Sequence, residues 1–291
     1  MTRRPPWLDR KITPSRHREM ERILGALSLS TVCREACCPN ISECYGRGEA
    51  TFLILGRECT RRCAFCAVSS ALPSPPDPDE PRRVAEGVEA LRLSHVVITS
   101  PTRDDLPDGG SSHYAATVEA IRLRSPETTV ELLIPDFQGD RGAIQTVIDA
   151  SPPIVGHNVE TVPRLYAVRD GASYNRSLGV LETLSRCGFR GVKSGIMLGL
   201  GETITEVMRV MEDLRRVGCT LLSIGQYLAP SRRHHPVIRH IPPDDFQRLE
   251  EAAYTLGFSH VESGPYVRSS FNAARYHEKA GEVPESPQLD V

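Results

Sequence analysis

Short apolar runs recur along most of the chain, and each is separated from the next by a longer amphipathic stretch. TFLILG (51–56), HVVITS (95–100), TVELLIP (129–135), PIVGHNVE (153–160), KSGIMLGLGE (193–202) and CTLLSIGQYL (219–228) read as buried strands. Helical periodicity fills 82–92, 113–124, 140–149, 177–188, 203–217 and 243–256. A further helix is predicted from Ser15, its N-cap, to about Leu27. Gly188, Gly218 and Gly257 follow three of these helices, where a C-cap glycine belongs. Apolar strands alternating with helices make parallel βαβ units with right-handed crossovers. Six units suit a partial (β/α)6 barrel of the TIM type or a doubly wound sheet, and the alternation leaves both open. SALPSPPDPDEP (70–81) is a proline-rich surface connection with no regular structure expected. The chain divides into an N-terminal extension (1–50), the βα region (51–258) and a C-terminal extension (259–291).

In barrels the working groups sit at the carboxyl ends of the strands. A cysteine-rich loop follows the first predicted strand. Thr99-Ser100, Pro135-Asp136, His157 to Glu160, Gly199 to Glu202 and Gln226-Tyr227 end the others. Polar groups on one rim of six consecutive strands suggest a single active-site mouth. Taken one by one, His157 fits a satisfied core histidine, Asp104 and Asp105 fit helix caps, and Glu160 could face the helix layer instead.

Composition narrows the picture. A chain of 291 residues with 40% hydrophobic residues can bury a sizeable core. A formal net charge of −2 gives no global field toward nucleic acid or an anionic membrane, so neither is an expected partner. No apolar run approaches the ~20 residues of a membrane span, and no signal-peptide pattern precedes residue 33. The opening MTRRPPWLDRKI is basic, but Pro5, Pro6 and Asp9 spoil an amphipathic transit helix. A reducing cytoplasm is the expected home for nine cysteines.

Six of those cysteines form two triplets, Cys33-x4-Cys38-x5-Cys44 and Cys59-x3-Cys63-x2-Cys66. Spacing this close reads first as metal ligation. Three thiolates are one short of the four that a structural zinc or an ordinary electron-transfer cluster takes. An iron–sulfur cluster held by three cysteines keeps one iron open for another ligand; a zinc loop and free thiols are the alternatives. The 33–44 stretch has too few aliphatics to bury itself, so a metal is expected to supply its order. Cys187 and Cys219 lack partner spacing and are expected to be buried, inert thiols. Arg61-Arg62, Arg82-Arg83 and Arg232-Arg233-His234-His235 read as solvated surface or as a docking face for an acidic carrier domain.

The second triplet, CTRRCAFC with Phe65 before its last cysteine, resembles the signature of the radical S-adenosylmethionine (SAM) enzymes. CREACCPNISEC (33–44), ITSPTRDDLPDGG (98–110), HNVE (157–160), KSGIMLGLGET (193–203), GQYLAPS (225–231) and GPYVRSSF (264–271) resemble the lipoyl synthase family in order and spacing. The resemblance runs from about residue 20 to 275. It implies a partial (β/α)6 barrel with N- and C-terminal extensions that carry an auxiliary iron–sulfur cluster. It also implies insertion of two sulfur atoms at carbons 6 and 8 of a protein-bound octanoyl chain. Those carbons are unactivated, so a cofactor has to supply a radical.

By the same resemblance, Cys59, Cys63 and Cys66 hold a [4Fe–4S] cluster whose open iron binds SAM. Cys33, Cys38 and Cys44 hold the auxiliary [4Fe–4S] cluster, with Ser270 as its fourth ligand and Ser269 the near alternative. That cluster is the sulfur donor. Phe65, Asn158, Lys193, Gly199 and Glu202 are the expected SAM or substrate contacts. Implied partners are an octanoylated lipoyl-carrier domain (2-oxoacid dehydrogenase E2 or glycine cleavage H protein), a flavodoxin- or ferredoxin-type reductant, and an iron–sulfur carrier that rebuilds the auxiliary cluster. Two departures stand out: Phe271 replaces the family's usual tyrosine, and Cys37 sits beside Cys38, raising a ligand swap. Biotin synthases lack the N-terminal triplet and the terminal serines, methylthiotransferases need a larger N-terminal domain, and a non-catalytic iron–sulfur protein would complete each cluster with a fourth cysteine.

Overall fold

The structure, a computed structural model, describes residues 5–8 and 17–280. The predicted cap at Ser15 lies outside them. Eight strands form one sheet in sequential order: β1 (Ser30–Thr31), β2 (Thr51–Leu53), β3 (His95–Thr99), β4 (Thr129–Leu133), β5 (Ile154–Gly156), β6 (Gly191–Leu198), β7 (Leu221–Gln226) and β8 (His260–Gly264). β1 is antiparallel to β2, and every later pairing is parallel. A doubly wound sheet reverses its strand order at a switch point; this order never reverses. No ladder joins β8 back to β2 among the described residues, so the barrel is partial and open along one side.

The chain begins with α1 (His17–Ala26), and α2 (Val32–Glu35) and α3 (Ile41–Arg47) carry the first cysteine triplet. α4 (Glu80–Ala90), α5 (Ser111–Arg124), α6 (Arg141–Asp149), α7 (Tyr174–Arg186), α8 (Ile204–Arg216) and α9 (Pro243–Thr255) each follow one of the strands β2 to β7. Six βα units result, with β8 after them, so the parallel sheet runs on past residue 258. α8 starts with a full capping box, Thr203 and Glu206 each satisfying the other's backbone N–H. Helix α4 takes Glu80 and Pro81 from the end of the proline-rich connection, because proline at the first turn lacks only an N–H that has no helical partner anyway.

The cysteine stretch is more ordered than its composition suggested. Tyr45 is fully buried and shares a hydrogen bond of 2.7 Å with Thr31, and Cys33 joins the main core. α10 (Ala273–Ala280) packs against β3, β6 and β8. Its Tyr276 donates to the Leu222 carbonyl at 3.1 Å and stacks edge-on against His260, residues near the amino ends of their strands. The C-terminal helix therefore closes the barrel at the end opposite the rim.

Lys193 belongs to that closed end, which corrects its expected place on the rim. It stands early in β6, fully buried, with its ammonium 2.8 Å from Glu131 and 3.5 Å from the Tyr276 ring centre. Burial alone would raise the Glu131 carboxyl, but the Lys193 charge and His95 outweigh it and hold it below the usual carboxylate range. No helix among the described residues is long and apolar enough to cross a membrane.

Candidate active site

The second triplet lies in the loop after β2, held by backbone hydrogen bonds within the loop and to the segments that follow β3 and β5. Cys59 N–H donates to Ser69 O at 2.7 Å, Thr60 N–H to Thr102 O at 3.0 Å, and Ala64 N–H to Val168 O at 2.8 Å. Arg61 was expected on the surface and is instead buried. Its guanidinium grips Asp104 (2.7 and 2.9 Å) and Asp136 (2.7 and 3.0 Å), two carboxylates from the β3 and β4 rims. Its own N–H points at the Cys59 sulfur, 3.4 Å away. From the far side, His235 N–H donates to Ala64 O and His234 Nε2–H to Cys66 O. Cys59, Cys63 and Cys66 consequently line one cavity of about 190 Å³. Phe65 is half-buried in the same loop.

The first triplet lines a second cavity of about 480 Å³, on the open side of the barrel, together with Thr51, Arg268 and Ser270. Thr51 Oγ1 donates to Ser270 Oγ at 2.7 Å, and Thr51 shares the cavity wall with Cys33. Ser269 turns the other way and donates to Asn158 Oδ1 at 3.2 Å. The two serines are thus separated: Ser270 belongs to the cysteines and Ser269 to the barrel. Cys38 lines the cavity, whereas Cys37 is exposed in a left-handed conformation (φ 50°) and lines none of the cavities named here. Above Cys44, the Arg47 guanidinium lies 3.9 Å from the sulfur and 5.5 Å from the Phe271 ring centre. A phenyl face is enough for that contact, so the missing phenol does not remove it.

A third cavity, about 230 Å³, lies inside the barrel beside the first triplet. Cys33, Cys38 and Ser270 form one wall; Asn158, Glu160, Met197 and Ser223 form the other. Glu160 faces this space and not the helix layer, in a left-handed conformation (φ 65°), with its carboxylate accepting from Asn158 Nδ2 at 3.1 Å. Burial pushes its carboxyl up. Arg169 donates to the Asn158 carbonyl at 3.0 Å and to the Tyr166 hydroxyl.

Other rim residues have local duties. Glu202 folds back to accept from the N–H groups of Gly199 (2.5 Å), Leu200 (2.9 Å) and Gly201 (3.1 Å). Gly199 has φ 105°, and a Cβ there would stand 2.2 Å from Gln226 Nε2. The GLGE turn is thus a self-satisfied element packed on β7. His157 is a core histidine, bonded to Ile134 O and Ser177 Oγ and held at about 4 by burial. Asp108, not Asp104 or Asp105, accepts from the backbone at the start of α5. Cys219 is buried as expected, but Cys187 is exposed because it sits at the outer end of α7.

None of the six triplet cysteines is in a disulfide. Burial pushes Cys33 up to about 11, Cys44 and Cys66 to about 12, and raises Cys63. A buried thiol resists ionisation until a cation stands beside it, so these donors suit a metal centre and not a salt bridge. Among the described residues no three His, Cys, Asp or Glu groups converge on one ion. Each triplet offers three thiolates, one ligand short of a closed zinc site and enough for a [4Fe–4S] cluster that keeps one iron open, so the donor set fits the cluster.

A family model described as the radical SAM superfamily matches residues 53–214. The lipoyl synthase of Geobacter metallireducens is 62% identical over 277 residues, covering 95% of this chain and 98% of that one. The chain belongs to the lipoyl synthase family. The Geobacter sulfurreducens lipoyl synthase is 63% identical over 94% of this chain and 91% of its own length. Among solved structures, the [FeFe]-hydrogenase maturase HydG (TM-score 0.56, 14% identity) covers 79% of this chain and 62% of HydG. Methylornithine synthase PylB (TM-score 0.55, 11% identity) covers 96% of this chain and 86% of PylB. These likenesses show the partial barrel alone. As a lipoyl synthase the protein is a radical SAM sulfurtransferase. It uses SAM and two [4Fe–4S] clusters to insert two sulfur atoms into a protein-bound octanoyl chain. Thr51 and Arg169 were not singled out from sequence, and Arg61 was read there only as part of a basic surface cluster. Only Arg61 had a signal there, since it occupies the spacer of the signature itself.

Proposed function

We propose a division of labour between the two triplets, with the inner cavity beside the first triplet as the space for substrate and SAM. Cys59, Cys63 and Cys66 hold the cluster at which SAM is cleaved, and Cys33, Cys38, Cys44 and Ser270 hold the auxiliary cluster that gives up sulfur. Bound there, the cofactors supply the 5′-deoxyadenosyl radical that removes hydrogen from unactivated carbon. The chain's own residues position and enclose. Asn158 and Glu160 offer an amide and a carboxylate to the polar parts of SAM, and Ser269 fixes the amide through Asn158 Oδ1. Val32, Ala36, Leu133, Ile196 and Val267 give the same cavity an apolar wall suited to an aliphatic chain. Thr51 holds the Ser270 oxygen at the cavity that Cys33 also lines. An oxygen ligand suits iron–sulfur iron less well than a thiolate, which favours its release when the cluster is dismantled.

One observation carries this reading: Cys33, Cys38 and Ser270 line both the outer cavity and the inner one that reaches Asn158 and Glu160. The partners that follow are an octanoylated lipoyl-carrier domain, E2 or H protein, a flavodoxin- or ferredoxin-type reductant, and an iron–sulfur carrier that rebuilds the auxiliary cluster.

The test is an anaerobic assay with SAM, dithionite and an octanoyl-lysyl peptide, after iron and sulfide are counted. The Cys33→Ala and Ser270→Ala variants are expected to release 5′-deoxyadenosine while sulfur insertion falls at least about tenfold, and Ser269→Ala to retain insertion. Full insertion by Ser270→Ala with loss in Ser269→Ala would reverse the ligand assignment. No deoxyadenosine from a fully loaded parent protein would end the reading.

A further inference from the structure

Neighbouring arginines of the radical loop have opposite surroundings. Arg61 is buried between two carboxylates, whereas Arg62 is exposed and forms no ion pair with a described residue. Arg232 and Arg233, on the loop after β7, are likewise exposed and enter no ion pair with a described residue. The two loops are fixed to each other by His234 on Cys66 O (3.1 Å) and His235 N–H on Ala64 O (2.8 Å). Arg62 and Arg233 therefore stand at the edge of the cavity that Cys59, Cys63 and Cys66 line. The acidic neighbour is Asp170, whose carboxylate accepts the backbone N–H of Arg62 at 3.0 Å.

Other basic clusters are used internally. Arg82 pairs with Glu86 at 2.7 Å, and Arg83 pairs with Asp77 at 2.9 Å. On a chain of net charge −2, a cationic face beside the radical triplet does not follow from global charge. It stands where the reaction needs an electron delivered, and electron transfer weakens steeply with distance. We propose that Arg62, Arg232 and Arg233 form the docking face for the reductant, a protein with an acidic surface around a one-electron centre. One electron leaves that protein and one enters the site held by Cys59, Cys63 and Cys66; no bond or proton moves at this face. Opposite charge would steer the encounter and make it sensitive to salt. The inference rests on the reading of that triplet as the radical centre.

The test compares the parent protein with Arg232→Glu and Arg232→Lys, each checked for iron content. Deoxyadenosine and thiolated peptide are followed with either dithionite or reduced flavodoxin, at low and high salt. The charge-reversed variant is expected to be slower with flavodoxin at low salt by about tenfold or more, and within about twofold of the parent with dithionite. The lysine variant should keep most of the flavodoxin rate. If Arg232→Glu fails to load iron, Arg232→Gln carries the comparison. Equal flavodoxin rates in parent and reversed variant overturn the proposal. So does a dithionite-driven loss with peptide, which would place the arginines in the site itself. A dithionite-driven loss seen only when an octanoylated carrier domain replaces the peptide would assign the face to that carrier and also overturns it. Failure of the parent protein to thiolate peptide under dithionite would instead reject the function on which the proposal rests.

Discussion

Arg61 shows how one side chain can set a cofactor loop. Its four contacts to Asp104 and Asp136 join the spacer of the radical triplet to two strand ends, and Asp136 is fully buried. Burial alone would raise the Asp136 carboxyl; the Arg61 guanidinium outweighs it and holds it at about 2, against an ordinary 3.8. A carboxyl lowered on folding adds stability that is complete above its unfolded value and is lost as pH falls toward the folded one. The shift corresponds to about 2.5 kcal/mol. Compared with Asp136→Asn in urea unfolding, the parent should hold a constant advantage above about pH 5 and lose roughly this amount progressively between about pH 5 and pH 1. A difference that does not change over that range would exclude the linkage.

At the scale of elements, the C-terminal segment matters most. It leaves β8, crosses β7, presents Ser269 and Ser270 in opposite directions, and ends in α10 beneath the barrel. Gly225 in β7 makes the crossing possible, because a Cβ there would stand 2.1 Å from the Val267 carbonyl oxygen. Gly225→Ala must push the segment outward and carry Ser270 away from Thr51. The expected outcome is a loss of about 1–3 kcal/mol in stability and at least about tenfold less sulfur insertion, with SAM cleavage retained. Unfolding midpoints and the two products, counted separately, check this; unchanged insertion would show that the segment has room to shift. Little in the sequence signals this segment's elements. HVESG contains one fully buried residue, Val261, and AARYHEKA relies on Ala273 and Tyr276, so neither has an apolar run to reveal it. α2 and α3 were hidden similarly, since Tyr45 and Cys33 find their partners only across the fold.

At the scale of the whole molecule, the barrel has a working end and a closed end, and Lys193 belongs to the latter. Its ion pair with Glu131 is fully buried, and Tyr276 covers it. Removing one partner leaves an uncompensated charge in the core, at about 3–5 kcal/mol. Lys193→Met should therefore lower the unfolding free energy by that amount, and Lys193→Met/Glu131→Gln should recover part of it. SAM affinity of the folded protein should not change; a fall in affinity with stability intact would return Lys193 to the binding site.

The sequence by itself determined the six βα units, the near-correct span of each helix from α4 to α9, and both cysteine triplets. These are local properties: periodicity of burial and covalent spacing write themselves into adjacent residues. It also placed Ser270 in a short motif but could not separate it from Ser269, because adjacent residues differ only in which way the backbone turns them. The tertiary structure decided that separation through Thr51 and Asn158, which are 219 and 111 residues away in the chain. It decided as well that Lys193 lies under the barrel, that Arg61 is internal while Arg62 is exposed, and that the strand order never reverses. Each depends on which distant strand or helix supplies the partner charge, and that is fixed only when the chain closes on itself.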